Sequence, residues 1–389
     1  MSKRGNRRAV LAMVLSMTVV VGGCSGDGSP TPPPATGPSP AALHWADVDA
    51  PAPVDVLMAK VVAGPSGFVL VAPHWPHDGA VTGAVVVLHS PDGQVWTPVQ
   101  LPPELAGLDQ VDVAAGEAGY LAAGHVIRGN EHRPVIAVSR DGQRWILAQL
   151  PGPANVQRTV QDIAVGPDGY LVDEARTGPA AFSEVVLTSL DGQAWSERDV
   201  PGVYTWLHTH DGLLGAADHD WITPTGDSWN ASPLPEAPPG WKAAGMWMAS
   251  SVALTGGTLL TQTAEQGTIF GAVHGTVVAW WSADDLSWTS LPAAETGWPF
   301  ITTDNTPVRV GGGGGLAAVM SGPGLYTSTD GWRWTAQVAW DGEDPPMDEI
   351  DSIASDGTAV VLAGVKFAPV AVAGQANPGP RLVIKVATP

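Results

Sequence analysis

Short apolar segments alternate with glycine-rich and polar turns along most of this chain. One recurring unit is an apolar segment, a glycine-rich turn and a second apolar segment, as in "VVAGPSGFVLVA" from Val61 to Ala72. Seven such units occur, the last of them from Ile353 to Gly364. Apolar runs this short, bounded by glycine, are typical of β-strands joined by tight turns. The pattern therefore predicts seven pairs of short strands.

A second motif follows six of the seven units and contains Ser or Thr, then Asp-Gly, then Trp. The near-copies are "SPDGQVWTPVQLP" from Ser90, "SRDGQRWILAQLP" from Ser139, "SLDGQAWSERDVP" from Ser189 and "STDGWRWTAQVAW" from Ser328, with poorer copies at Thr223 and Ser282. Asp-Gly between apolar segments is a strong hairpin signal because the turn needs positive φ. Each unit therefore adds two more strands. Four strands in roughly 50 residues are typical of a β-propeller blade.

The seventh unit lacks this motif and is followed only by one apolar segment, "RLVIKVAT", from Arg381 to Thr388. The missing fourth strand is available at the other end of the chain, where "HWADVDAP" begins at His44. Pairing the two segments closes the ring and removes its free edges. The predicted fold is all-β: a seven-bladed β-propeller of four-stranded blades closed by the N-terminal strand, with six blades as the alternative.

The N-terminus has the features of an export signal. Basic residues, an apolar run and "VGGC" ending at Cys24 predict a signal peptide over residues 1–23, and "VGGC" resembles the bacterial lipobox. We expect lipidation of Cys24, a Pro/Gly/Ser-rich tether over 24–41 and the propeller over 42–389. The expected location is the bacterial cell membrane, with the protein lipid-anchored and facing outside the cytoplasm. Arg7-Arg8 leave the export route, Sec or twin-arginine, open.

Charge narrows the range of partners. The chain has 18 Lys and Arg against 38 Asp and Glu, a formal net charge of −20. Such an acidic protein is repelled by nucleic acid and by anionic lipid, so we expect no nucleic-acid partner and membrane contact only through the lipid anchor. Cys24 is the one cysteine, which excludes an internal disulfide. We expect a monomer.

The Ser, Asp, Gly and Trp motifs resemble the Asp-box (BNR) repeat of the sialidase-type propellers. The family's box has one more residue between Asp and Gly, and four of the six copies here keep all four residue types. The resemblance implies that the boxes are structural and lie on the face opposite the binding site. It therefore implies that the ligand-binding face is formed by the loops at the other end of the strands.

Aromatic, histidine and arginine residues are concentrated in those predicted loops. Exposed tryptophan beside arginine suits a planar or sugar-like ligand. The candidate ligand-binding residues are Trp75, His77, His125, Arg128, Arg133, Arg158, Arg176, Trp221, Trp241 and Trp298.

Two metal sites were considered and not favoured. His74, His77 and His219 could supply zinc ligands, but their spacing does not show that they converge. The acidic run "DGEDPPMDEID" from Asp341 could bind calcium, but a solvated linker fits it better. We expect no metal and no cofactor.

Enzymatic activity has little support in the sequence. The resemblance to sialidases implies an Arg-Ile-Pro motif and a catalytic tyrosine, yet the motif is absent and only Tyr204 lies in a suitable predicted loop. No catalytic residue is assigned. The favoured function is a surface-anchored, non-enzymatic binding or scaffold propeller for an extracellular protein or envelope polysaccharide. The alternatives are a glycan-active hydrolase or lyase, and an assembly factor for a membrane complex.

Overall fold

A computed structural model describes most of the chain from Ala42 onward. The residues described are 42–48, 51, 56, 58–73, 85–106, 108, 111–128, 131–153, 156–178, 182–199, 203–217, 220–225, 228–233, 242–243, 249–266, 274–291, 301–302, 309–321, 324–337, 347–367 and 380–388.

Seven antiparallel sheets follow one another along the chain and form the blades of a propeller. The strands of the first four blades, innermost first, are β2 (Lys60–Gly64), β3 (Gly67–Pro73), β4 (Val85–Ser90) and β5 (Thr97–Pro98); β6 (Val111–Gly116), β7 (Gly119–Arg128), β8 (Glu131–Ser139) and β9 (Ile146–Leu147); β10 (Gln157–Gly166), β11 (Gly169–Thr177), β12 (Phe182–Ser189) and β13 (Ser196–Asp199); and β14 (Val203–His208), β15 (Leu213–Ala217), β16 (Asp220–Thr225) and β17 (Ser228–Pro233).

The last three blades follow the same order, with two short extra strands in the fifth. Their strands are β19 (Ala249–Leu254), β20 (Gly257–Gln266), β21 (His274–Ser282) and β22 (Thr289–Leu291), with β18 (Lys242–Ala243) and β23 (Ile301–Thr302) at the sides; β24 (Arg309–Gly313), β25 (Leu316–Ser321), β26 (Gly324–Ser328) and β27 (Thr335–Gln337); and β28 (Glu349–Ser355), β29 (Val360–Lys366), β30 (Arg381–Thr388) and β1 (His44–Val48).

The N-terminal strand closes the seventh blade, as the sequence predicts. β1 pairs antiparallel with β30, from His44 opposite Thr388 to Val48 opposite Ile384. The seven-bladed prediction is confirmed, and the six-bladed alternative is wrong. The one helix within the described ranges is α1 (Pro103–Ala106). No helix in this part of the chain is long and apolar enough to span a membrane.

Apolar side chains fill the gaps between adjacent blades. Trp96 of the first blade packs in one cluster with Val361 and Val386 of the seventh, and Trp145 of the second blade packs in another with Val69 of the first. Burial of such large side chains is the main driving force for folding. The ring is therefore stabilised between blades as well as within them.

Five blades share one six-residue turn between their third and fourth strands, which we call the serine–aspartate turn. These turns comprise residues 91–96, 140–145, 190–195, 283–288 and 329–334. In each turn the preceding serine Oγ donates to Oδ1 of the aspartate at 3.1–3.2 Å. The same Oδ1 accepts two backbone N–H groups, as Asp141 does from Gln143 and Arg144. These bonds stabilise the carboxylate and lower the pKa of Asp141.

The glycine of these turns takes a backbone conformation that other residues rarely adopt. Gly142 has φ +70°, and its carbonyl accepts a hydrogen bond from Trp145 Nε1 at 3.1 Å. In the fifth blade Asp285 occupies this position with φ 54°. Its Oδ2 accepts the backbone N–H of Asp211 in the fourth blade at 2.9 Å. The aspartate at this strained position therefore links the fifth blade to the fourth.

Candidate functional site

Four of the ten candidate ligand-binding residues lie outside the described residues. These are Trp75, His77, Trp241 and Trp298, and the same is true of His74 and His219. Their predicted role stays a prediction.

Trp221 does not belong to an exposed loop. It lies on β16, is 0% exposed and packs in a cluster with Leu214, Leu260 and Trp280. The fourth blade's third strand begins at Asp220, so the segment expected to be a loop is already within the sheet. The prediction that Trp221 contacts a ligand is therefore wrong, because its ring is completely covered.

The loop predicted over residues 124–134 is mostly a β-hairpin. β7 and β8 pair as far as Arg128 opposite Glu131, and His125 lies opposite Pro134. Arg133 on β8 is exposed, whereas His125 is half-buried and already interacts with another group. The structure thus places these three candidates on strands near the tip of one hairpin.

Arg158 and Arg176 form a buried ion-pair network and are not free ligand-binding groups. Arg158 donates to both carboxylate oxygens of Glu174, from Nε at 2.7 Å and from Nη2 at 2.5 Å. Arg176 donates to Glu174 Oε1 at 2.6 Å and to both oxygens of Glu197. Glu174 is 0% exposed. Two arginines paired with two glutamates leave no net charge for a ligand, so the network holds the third blade together.

Polar or ionisable residues occupy one repeated position on the innermost strands. This position lies four residues before the last residue of each innermost strand. We call the set the inner-strand ring; its members are Lys60, Asp112, Asp162, Tyr204, Ser250, Arg309 and Asp351. The innermost strands of a propeller surround its central channel. The ring therefore brings three carboxyl groups and two cations to one level of that channel.

Bulges interrupt strand pairing at this level in three blades. The register shifts between Val160 and Asp162, between Val203 and Thr205, and between Ile350 and Ser352. A bulge redirects a side chain, and bulges are frequent beside active sites. The irregularity therefore coincides with the ring residues of blades 3, 4 and 7.

Lys60 and Asp112 form an ion pair across the first two blades. Their side chains are 47% and 45% exposed. An ion pair this open is weak and is available to a ligand.

Asp351 is held on the other side of Lys60. Its Oδ2 accepts the backbone N–H of Ala59 at 2.8 Å. Burial raises the pKa of Asp351 to about 6; the Ala59 N–H and the Arg309 charge oppose this rise, and the Glu349 charge adds to it. A carboxyl group with this pKa exchanges protons near neutral pH, which suits an acid–base catalyst.

Asp162 and Asp173 are directly opposite each other on β10 and β11. Oδ2 of Asp162 accepts hydrogen bonds from the Thr205 hydroxyl at 2.9 Å and the Trp206 N–H at 2.6 Å. Burial nevertheless raises the pKa of Asp162. Asp162 is half-buried.

Asp173 is more deeply covered than Asp162, with 2% exposure. Burial raises the pKa of Asp173 to about 7, and the charge of Asp162 adds to the rise, while a bond from Trp206 Nε1 opposes it. Two adjacent carboxyl groups do not ionise together easily. Both carboxyl groups of the pair are therefore harder to ionise than an exposed aspartate.

The opposite end of the channel is lined by the turns between first and second strands. A cavity of about 620 Å³ lies there, bordered by Gly64, Gly116, His208, Gly314 and Asp356. Burial lowers the pKa of His208, so its imidazole is neutral at pH 7. Within the described ranges, no three His, Cys, Asp or Glu residues are arranged to hold a metal ion. In the acidic run, Asp348 Oδ2 accepts the N–H of Phe367.

Solved structures share the general architecture at very low sequence identity. A sialidase from Trypanosoma rangeli, in complex with the inhibitor DANA, is 9% identical with a TM-score of 0.41, over 86% of this chain and 55% of that chain. A family 117 glycoside hydrolase from the marine bacterium Zobellia galactanivorans is 9% identical with a TM-score of 0.32, over 90% of each chain. PorZ, a surface component of the type-IX secretion system of Porphyromonas gingivalis, is 10% identical with a TM-score of 0.42, over 86% of this chain and 40% of that chain. No protein-family model and no curated protein sequence matches the chain.

The predicted non-enzymatic scaffold function is contradicted. Several of the similar solved structures are named as a glycosidase, as glycoside or glycosyl hydrolases, as a fructan exohydrolase or as members of a family of mannoside phosphorylases. Among the described residues, the inner-strand ring contains three carboxyl groups. Candidate catalytic carboxyl groups are thus present, although none was assigned from the sequence.

Proposed function

We propose that this protein is a glycan-active hydrolase whose active site is the inner-strand ring. The observation that supports this proposal most is the grouping of Asp112, Asp162 and Asp351 at one level of the channel, in different environments. Glycoside hydrolysis uses two carboxyl groups, one that donates a proton and one that is ionised. Different environments allow similar side chains to take these different roles.

Asp351 is the proposed proton donor. With a pKa of about 6, it is partly protonated near neutral pH and can protonate the glycosidic oxygen as the C–O bond breaks. Asp162 is the proposed ionised partner: the Thr205 hydroxyl and the Trp206 N–H donate to its Oδ2, and these bonds and the Lys60 charge oppose the rise in its pKa that burial causes. It would stabilise the positive charge that develops on the sugar, or direct a water molecule to the anomeric carbon.

Lys60 and Arg309 are proposed to position the substrate and balance the charge of the ring. Lys60 acts electrostatically on Asp162 and pairs with Asp112, while Arg309 lowers the pKa of Asp351. Arg309 itself is oriented by a hydrogen bond from Nε to the Ile350 carbonyl at 3.2 Å. Their exchangeable hydrogen-bond donors can bind sugar hydroxyl groups in the substrate complex.

Release of reducing ends from bacterial envelope polysaccharides tests this proposal. Asp351→Asn and Asp162→Asn should each lower turnover by about 100-fold or more, since a positioned acid or base contributes ~10²–10⁴. Asp47→Asn is the control, because the side chain of Asp47 is 79% exposed on the outermost strand, where it pairs with Lys385. Wild-type activity should fall as the pH rises above about 6, where Asp351 loses its proton. Full activity of both ring variants would refute the proposal.

Two features of the sequence complete the proposed picture. We propose that the serine–aspartate turns are Asp boxes of the sialidase type, supported by their shared length and hydrogen bonds. We also propose that Cys24 is lipidated and anchors the enzyme to the outside of the bacterial cell membrane, supported by "VGGC". Labelled palmitate should enter the wild type but not Cys24→Ala, and equal membrane retention of both proteins would contradict the anchor.

A further inference from the structure

A second cavity lies between the third and fourth blades, on the face of the serine–aspartate turns. Its volume is about 550 Å³, within the ~300–1,000 Å³ typical of small-ligand sites. We call it the blade 3–4 groove; it is bordered by Asp168, Asp191, Ser196, Arg198, Leu213 and Trp229. None of these residues belongs to the inner-strand ring.

Beside the groove, the connection between the third and fourth strands of the fourth blade is shorter than the turns of its neighbours. Six residues join the third and fourth strands in the five blades with serine–aspartate turns, but only residues 226–227 join β16 to β17. In the third blade the six-residue turn places Gly192 against the preceding blade; a Cβ there would lie 2.5 Å from Val138 Cγ2.

The position of Trp229 also departs from the repeat. Trp96, Trp145 and Trp195 donate from Nε1 to the glycine of their own turn. Trp229 instead donates to the carbonyl of Asp199 in the preceding blade at 2.9 Å. Its ring lies 5.5 Å from that of Trp206. The indole is thus fixed in the wall of the groove and remains partly exposed.

The lining of the groove has the composition that a neutral sugar requires. The indole of Trp229 offers an apolar surface for the C–H face of a pyranose ring. Arg198, Ser196 and the carboxylates of Asp168 and Asp191 offer donors and acceptors for hydroxyl groups. One cation beside two carboxylates disfavours an anionic ligand, and the charged rim disfavours a purely apolar one.

We infer that the blade 3–4 groove binds a neutral sugar residue of a glycan, as a second site separate from the inner-strand ring. The choice of ligand rests on the proposed glycan-active function, whereas the site itself rests on the cavity and on the position of Trp229. A second site of this kind holds a long substrate by two contacts, which raises its effective concentration at the ring.

Saturation-transfer NMR with D-glucose, D-galactose, D-mannose and N-acetyl-D-glucosamine tests the groove directly. Ser196→Trp introduces a large side chain at an exposed position of the groove and should weaken binding at least 10-fold. Ile146→Trp is the matched control; Ile146 is also the first residue of an outermost strand and is 55% exposed, but it lies outside the groove. This control should bind sugar like the wild type. A second variant, Trp229→Phe, keeps a ring but loses the bond to Asp199 and should weaken binding less than Ser196→Trp.

A third variant separates this inference from the proposed activity. Asp351→Asn should lose hydrolysis and keep sugar binding in the groove. Two results would overturn the inference: sugar binding that Ser196→Trp leaves unchanged, or no binding of any of the four sugars. Neither result would contradict the proposal of hydrolysis at the inner-strand ring. Sedimentation gives a further check: a wild-type dimer that Ser196→Trp converts to a monomer would show that a second copy of the chain covers the groove, and would also overturn it.

Discussion

The two ends of the innermost strands differ in how much their residues and contacts change from blade to blade. At the turn end, the same contacts recur from blade to blade: Tyr120 of the second blade donates to the Gly67 carbonyl of the first, and Tyr170 of the third donates to the Ala118 carbonyl of the second. At the other end, the inner-strand ring changes from Lys60 to Asp112 to Asp162 in consecutive blades. Repetition thus marks the residues that build the ring of blades. Variation at a fixed position marks the residues available for chemistry.

The largest expected effect is on the repeated end, from Trp145→Ala. Trp145 is 8% exposed and packs between the first two blades, so its removal leaves a cavity and should lower the free energy of unfolding by about 3–5 kcal/mol. Denaturant unfolding followed by circular dichroism measures this change. The neighbouring Ile146 is 55% exposed, and Ile146→Ala should stay within about 0.5 kcal/mol of the wild type. Equal losses would show that the serine–aspartate turn does not stabilise the blade interface.

The number of blades was predictable because the repeated turns require particular residues. Glycine at positive φ and tryptophan between blades recur at fixed places, so the pattern appears in one sequence. The N-terminal strand was predictable because one blade lacked a fourth strand. Both predictions rest on local rules that tertiary packing does not override.

The candidate site was harder to predict for a physical reason. Lys60, Asp112 and Asp162 lie on strands, whereas ligand-binding residues are expected in loops. The signal was present: each lies four residues before the glycine that ends its strand. The prediction that Trp221 lies in a loop was wrong because composition does not fix where a strand begins. Its strand begins at Asp220, one residue before Trp221.

A second prediction concerns Asp173, whose ionisation should destabilise the folded protein at high pH. The folded-state pKa of Asp173, about 7, exceeds the ordinary value of 3.8, so the folded protein binds more protons than the unfolded one between these values. This contribution to stability is present below about pH 4 and is lost as the pH rises through about 7, at up to ~1.4 kcal/mol per pH unit.

Asp173→Asn should therefore flatten the pH dependence, because the amide does not titrate and its oxygen can still accept the Trp206 Nε1–H bond. Urea unfolding between about pH 5 and about pH 7 measures the slope. Asp92→Asn at the turn end should leave this slope unchanged between about pH 5 and about pH 7 and should alter the pH dependence, with the opposite sign, only below about pH 4, because backbone hydrogen bonds lower the pKa of Asp92 from 3.8. A wild-type slope that Asp173→Asn leaves unchanged would show that Asp173 is not the buried proton carrier.

Lys60→Gln should have the smallest effect on stability. It should also distinguish most clearly between residues that stabilise the fold and residues that take part in the chemistry. The Lys60–Asp112 pair is nearly half exposed, so its loss should change the free energy of unfolding by less than about 1 kcal/mol. Lys60 nevertheless lowers the pKa of Asp162 through its charge. Removing that charge should raise the pKa of Asp162 and shift the acidic limb of the pH–activity profile to higher pH.

The pH profile of polysaccharide hydrolysis measures this shift. The control is Lys385→Gln, which breaks the outer Lys385–Asp47 pair and should leave the profile unchanged. A Lys60→Gln enzyme with normal stability and an unshifted profile would place the chemistry elsewhere than in the inner-strand ring.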